Sequence, residues 1–169
     1  MTMTAQDVFT DGLRNAHAME KQALTIMEAQ LNRLEHYPEV SMLLRRHIEE
    51  TEGQVERLKR ILEGMDESSS GFKDAAMSFT GAMSAAGHSF ADDEILKNSF
   101  ANYAFENFEI AAYTSLITVA RMCGASSAIP LLEQSLAEER QMAAALSDGL
   151  ETVTQRYISR GASGERADI

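Results

Sequence analysis

Glu139 occupies a place where a bundle core calls for leucine. Ile129, Leu132, Leu136, Glu139, Ala143, Leu146, Leu150, Val153 and Tyr157 follow one another at alternating spacings of three and four. That rhythm is the buried seam of a helix packed in a bundle. Glu20 lies in a similar run, Leu13, Ala16, Glu20, Leu24, Met27, Leu31 and Leu34, and Glu109 in Phe105, Glu109, Ala112, Leu116, Val119 and Cys123. A fourth stretch is less regular. Its strongest apolar row is Leu44, Ile48, Val55, Leu58 and Leu62, with His47, Thr51 and Gln54 interrupting that face and Glu50 at its edge. Periodicity alone does not choose between Glu50 and Glu52. Spacing does, because 89 residues separate Glu20 from Glu109 and 89 separate Glu50 from Glu139. Glu49 and Glu138 stand at the same offset, which also carries His17 onto Glu106. The pattern reads as an internal duplication in which the first two helices recur as the last two.

An ionised carboxylate in an apolar core costs many kcal/mol or gives up its charge. One such glutamate is readily explained as a register device or a hydrogen-bonded group. Several converging at one level repel one another, and shared protons, basic partners or metal cations must compensate them. Basic partners are thin on these faces apart from Arg57. A dinuclear metal cluster is the preferred solution, since four carboxylates offset two divalent cations and oxygen ligands with some nitrogen suit Fe or Mn.

These acids need long helices to hold them, and the punctuation supplies four. Thr4-Ala-Gln-Asp7 has the form of a capping box. The helical pattern then runs over about 4–35, and Pro38 ends it. Helices are expected over 39–63, 92–123 and 127–157, with Gly64 as a stop, Asp92-Asp-Glu94 in a first turn, and Ser126 or Ser127 as a cap before Pro130. Between them lies a crossover over 65–91 carrying a short helix at 72–86. Residues 1–158 form one domain, and 159–169 read as a frayed tail. No stretch alternates with the period of a strand. The fold class is all-α, a four-helix bundle of ferritin-like connectivity with a long crossover carrying a short fifth helix. Asn98 and Asn102, one turn apart on the third long helix, read as interhelical hydrogen-bonding groups.

The chain of 169 residues has a net charge of −11, which excludes the basic footprint of a nucleic-acid binder. No apolar run reaches the ~18 residues of a membrane span, and no secretory signal is visible. A single cysteine, Cys123, excludes an intramolecular disulfide framework. A cytoplasmic setting is expected.

The runs Ala18-Met-Glu20-Lys-Gln22, His47-Ile-Glu-Glu50-Thr-Glu-Gly-Gln54-Val-Glu-Arg57-Leu58, Asn107-Phe-Glu109-Ile-Ala-Ala-Tyr113 and Leu136-Ala-Glu-Glu139 resemble the YciE/YciF family of bacterial ferritin-like proteins. The resemblance covers about residues 5 to 157. It implies a bundle, often a homodimer, with a carboxylate-bridged dimetal site, a link to bacterial stress and a ferroxidase-like activity toward O2 or peroxide. Ferritin-like sites place a His three residues after a Glu on two helices. Here Gly53 and Met142 stand in those places, so the nitrogen side of such a site is missing. His17, one turn before Glu20, is a candidate nitrogen ligand. Glu106, one turn before Glu109, is a candidate extra carboxylate, and Gln54 is either a ligand or a hydrogen-bonding neighbour of one. The expected metal set is therefore Glu20, Glu50, Glu109 and Glu139, with Glu106, Gln54 and His17 as further candidates for two Fe or Mn ions. The missing histidines favour the competing reading, a non-catalytic dimeric helical scaffold with a vestigial or structural metal site.

Overall fold

The computed structural model of the protein describes residues 2–65 and 92–169. Four helices account for most of them: α1 (Ala5–Leu31), α2 (Pro38–Glu63), α3 (Glu94–Met122) and α4 (Ile129–Ala162). No strand is present among the described residues. The expected short helix at 72–86 lies outside them.

Each helix packs on two others: α1 on α2 and α3, and α4 on α2 and α3. Ion pairing and hydrogen bonding fix the directions. Arg33, just past the end of α1, holds Glu94 at the start of α3 through two bonds of 2.8 and 2.6 Å. One to two turns along, Gln30 and Asn102 exchange amide hydrogen bonds of 3.0 and 2.8 Å. So α3 begins beside the end of α1 and runs parallel to α2, which fits a bundle whose middle connection crosses its length. Asn102 thus serves the interhelical role read from its position.

Local chemistry explains the ends. Thr4 and Asp7 form the expected capping box, with Asp7 N–H donating to Thr4 Oγ1 at 3.1 Å and Thr4 N–H to Asp7 Oδ2 at 2.8 Å. α1 stops at Leu31, short of the expected 35, because the Asn32, Arg33 and Leu34 N–H groups turn back to Glu28 and Gln30 carbonyls. α3 closes at Gly124, whose φ of +77° suits glycine, and Ala125 N–H reaches Ala120 O at 2.9 Å. Neither Ser126 nor Ser127 caps α4, whose N-cap is Ala128 with no side-chain bond; Pro130 sits in the first turn as expected.

The tail is not frayed. α4 continues to Ala162, and Gly164 at φ +72° closes it in the same way as Gly124, with Glu165 N–H bonded to Arg160 O. The chain then doubles back. Arg160 Nε donates to Arg166 O, the buried Tyr37 hydroxyl donates to Ala167 O, and Ile95 N–H donates to Asp168 O. Ile169 is buried. The composition of 159–169 hides this docking, since only one large apolar residue makes it.

Core seams follow the expected periods on α1, α3 and α4, with Leu13, Ala16, Met27, Phe105, Leu116, Leu132, Leu136, Leu146 and Val153 all buried. No helix among the described residues is long and apolar enough to cross a membrane.

Glu94 is 1 % exposed and its carboxylate rests on Arg33. Removing one partner of such a pair deprives a buried carboxylate of its two guanidinium bonds. Arg33→Met is expected to lower the urea midpoint of unfolding. An unchanged midpoint would show that the pair does not hold the ends of α1 and α3 together.

Candidate metal centre

Half-way along the bundle the helices turn polar groups inward at one level. Glu20 comes from α1, His47, Thr51 and Gln54 from α2, Glu106 and Glu109 from α3, and Glu139 from α4. All seven are at most 3 % exposed. His47, Glu106, Glu109 and Glu139 each offer one ligand atom within 4.8 Å of the others.

His47 is the hub. Its Nε2 lies 3.2 Å from Glu106 Oε2 and 3.4 Å from Glu139 Oε2, and its Nδ1 lies 3.0 Å from Glu50 Oε2. Glu50 itself is 24 % exposed at its side chain and also faces Arg46 at 3.6 Å. A carboxylate on Nδ1 fixes the ring and leaves Nε2 directed inward, the arrangement found behind metal-bound histidines.

The glutamates around His47 are held on one side only. Tyr113, fully buried, donates to Glu20 Oε1 at 2.7 Å. Gln54 donates to Glu139 Oε1, and to Glu138 Oε2 at 3.2 Å. Arg57 pairs with Glu138 and donates to Ser135 Oγ at 3.0 Å. What remains is a set of buried atoms without a partner, Glu20 Oε2, Thr51 Oγ1, Gln54 Oε1 and both oxygens of Glu109, while Glu106 Oε2 and Glu139 Oε2 face His47 Nε2. Buried polar atoms are nearly always partnered, so five orphans at one level require an explanation. Three are carboxylate oxygens, one an amide carbonyl oxygen and one a hydroxyl oxygen; all can accept, and a cation satisfies acceptors.

The electrostatics agree. Burial pushes the Glu20 and Glu109 carboxyls well above the usual carboxylate range, and facing carboxylates add to it, Glu139 for Glu20 and Glu20 then Glu139 for Glu109. Burial raises Glu106 to about 7 against the opposing pull of His47. Burial alone would lower His47, but its bonds to Glu106 and Glu139 outweigh that and raise it to about 11. Without a metal, the site is a proton-sharing knot around an imidazolium.

The structure brings Glu106, Glu109 and Glu139 together with His47, and sets Glu20 and Gln54 against them. It does not bring in His17. That residue is half-buried beside Lys21, Glu56 and Lys59, where burial lowers its pKa. The 90° turn that separates it from the α1 seam keeps it outside. Glu50 reaches the centre only through His47. In the sequence, the apolar row of Leu44, Ile48 and Val55 competes with His47 for the face of α2 and hides it as a ligand. The row Leu44, His47, Thr51, Gln54, Leu58 and Ile61 has the alternating spacing of three and four seen in the other seams, and all six are buried. That rhythm was the available signal. Gly53, in one usual His place, leaves room for Arg57, whose Nη1 lies 3.4 Å from where a Cβ would stand. Met142, in the other, is fully buried.

Comparison with known proteins agrees with this architecture. The model of DUF892, a domain of unknown function, matches residues 4–159. The chain belongs to this family. Protein YciF of Escherichia coli K12 is 32 % identical over 155 residues, covering 86 % of this chain and 89 % of that one. Among solved structures, a Xanthomonas campestris protein superposes with a TM-score of 0.79 at 30 % identity, covering 94 % of this chain and 99 % of its own. The E. coli stress protein YciF superposes with a TM-score of 0.70 at 29 % identity, covering 87 % and 94 %. This DUF892 chain is thus matched along nearly its whole bundle.

The raised pKa values fix the pH dependence of the metal-free protein. Glu106 moves from 4.5 to about 7, so its contribution to stability is complete below 4.5 and lost as pH rises through 7. Glu20 and Glu109 have the same sign. His47 adds a contribution complete below 6.5 and lost toward about 11. Asp7 and Asp168 are lowered, and their opposite effect falls below 3.8. Chelator-treated protein should therefore lose stability between about pH 5 and about pH 8. A urea midpoint that climbs over that range would contradict the burial of these acids.

Proposed function

We propose that this is a ferritin-like dinuclear metal protein of the bacterial stress response, holding two Fe or Mn ions and passing electrons from Fe(II) to O2 or peroxide. One observation carries the reading: four buried acceptor oxygens without a partner, Glu20 Oε2, Gln54 Oε1 and the two of Glu109, lie at the level where His47, Glu106, Glu109 and Glu139 converge. The four carboxylates of Glu20, Glu106, Glu109 and Glu139 balance the charge of two divalent cations. His47 would supply nitrogen and Gln54 Oε1 a neutral oxygen. When bound, the metals supply reducing equivalents and a place for an oxidant.

The chain's own residues set the conditions. Tyr113 fixes one oxygen of Glu20 and leaves the other free, and Gln54 fixes one oxygen of Glu139 and leaves the other facing His47. Glu50 orients His47. Near-complete burial excludes bulk water from the carboxylates. Metal uptake displaces protons from Glu20, Glu106 and Glu109, so affinity rises with pH. The stress assignment rests on the E. coli relative, which is described as a stress protein. A cytoplasmic setting accords with the single cysteine.

A dimeric, non-catalytic scaffold is favoured by a different observation. Between Lys97 and Arg121, α3 exposes Phe100, Tyr103 and Phe108, and its only charged residues there, Glu106 and Glu109, are buried. Two copies that each carry −11 meet most easily on such an uncharged face.

Anaerobic Fe(II) titration followed by oxidant separates the readings. About two Fe per chain, oxidised faster than in buffer, is the expected result, and Glu109→Ala should abolish uptake while raising metal-free stability. Uptake of less than one Fe per chain defeats the dimetal reading. Two Fe oxidised no faster than in buffer favours the scaffold.

A further inference from the structure

A cleft of about 330 Å³ opens into the bundle between the polar layer and the returning tail. That is room for a small organic molecule. All four helices contribute to it. Val40, Leu43, Ile95, Leu146, Leu150 and Val153 give it apolar walls. Gln30 and Asn102 belong to its lining but spend their amides on each other, and Ser99 Oγ donates to Ile95 O at 2.8 Å. Protein interiors close such gaps with side chains where nothing is to be held. Here α4 presents Ala145 and Gly149, one turn apart, and a Cβ added at Gly149 would meet no atom within 4 Å. Glycine weakens a helix interior, so leucine there would both strengthen α4 and fill the space.

The charges of the cleft are already balanced. Its two charged residues are Glu39 and Arg46. Glu39 Oε2 accepts from Arg156 at 2.9 Å, and Arg46 faces Glu50 at 3.6 Å. A charged ligand would meet no uncompensated partner there. Glu39 Oε1 is different. It is buried and has no hydrogen bond. A buried acceptor at the edge of an apolar cleft calls for a donor, and the cleft's own amides and hydroxyl do not supply it. Asn98, half-buried, adds an amide to the same lining. Two turns of α2 separate Glu39 from Arg46, about 10 Å along the axis.

We infer that this cleft binds an uncharged apolar chain with a terminal hydroxyl, the class of the medium-chain primary alcohols. The hydroxyl donates to Glu39 Oε1, and the alkyl chain lies between the walls of α2, α3 and α4. One unpartnered acceptor matches one donor, and the apolar walls match the rest of the molecule. None of the lining residues belongs to the polar layer of Glu20, His47, Glu106, Glu109 and Glu139. Binding needs no metal, so the inference stands or falls apart from the dimetal reading.

The test titrates the full chain, stripped of metal with chelator, with 1-octanol in a calorimeter. Heptyl methyl ether has the same heavy atoms and no donor. Wild type should bind one octanol per chain, at least about tenfold more tightly than the ether. Glu39→Ala should bring alcohol and ether to within about twofold of each other. Gly149→Leu should abolish octanol binding while its thermal midpoint matches or exceeds that of wild type. The comparison of alcohol with ether on wild type needs no variant, so it decides the matter even where a variant fails to fold. Absence of saturable octanol binding overturns the inference. So does equal binding of alcohol and ether, tighter binding of octylammonium or octanoate than of octanol, or undiminished binding by folded Gly149→Leu.

Discussion

Mutual repulsion among buried carboxylates is the constraint on which this structure turns. Glu20, Glu106, Glu109 and Glu139 project from three helices into one sealed layer, with His47 as their one basic neighbour there. Among the described residues no other basic group enters that layer, and without His47 and shared protons the ionised acids would cost more than a domain's entire margin of stability. The metal-free fold tolerates them by keeping protons on the acids and a charge on the imidazole. That arrangement is adequate and poorly satisfied, as the orphaned oxygens show. A cation exchanges those protons for ligand bonds. The layer is thus a site that the surrounding bundle must hold together against its own charge.

The rest of the molecule supplies that restraint. Apolar seams lie on both sides of the polar layer, from Phe9 and Leu13 to Leu132 and from Met27 and Leu44 to Val153. At one end Arg33 ties α1 to α3, and the returning tail ties α4 to Tyr37 and Ile95. Beside the layer, Arg57 neutralises Glu138 and keeps that extra acid from joining the buried group. Capping, seam packing and tail docking all bear on positions fixed to fractions of an ångström, because ligand atoms on different helices must meet.

Much of this was legible before any coordinates. Helix number and connectivity followed from apolar period and punctuation, since Pro38, Gly64 and Gly124 interrupt otherwise continuous patterns. Glu20, Glu109 and Glu139 were legible because an acid at a seam position is a contradiction that local propensity cannot resolve. Glu106 and Gln54 were found only as neighbours, and the family resemblance brought them forward. His47 was missed because three polar residues in a row of one seam made a neighbouring apolar row look like the core. Glu50 was over-weighted for the opposite reason. The repeat offset matched it to Glu139, but a duplicated position need not keep a duplicated environment. His17 failed on geometry, since one turn of sequence distance does not cancel a quarter-turn of angle. The tail's docking rests on backbone carbonyls and one isoleucine, which leave almost no trace in composition.

The central claim is that cations belong among these acids, and anomalous diffraction tests it most directly. Crystals of the protein grown with Mn(II) or anaerobic Fe(II) should show two anomalous peaks inside the bundle. Both should lie within the layer that holds Glu20, His47, Glu106, Glu109 and Glu139. Crystals diffracting well enough to place Glu109, yet with no anomalous density inside the ring of Glu20, His47, Glu106, Glu109 and Glu139, would contradict the account.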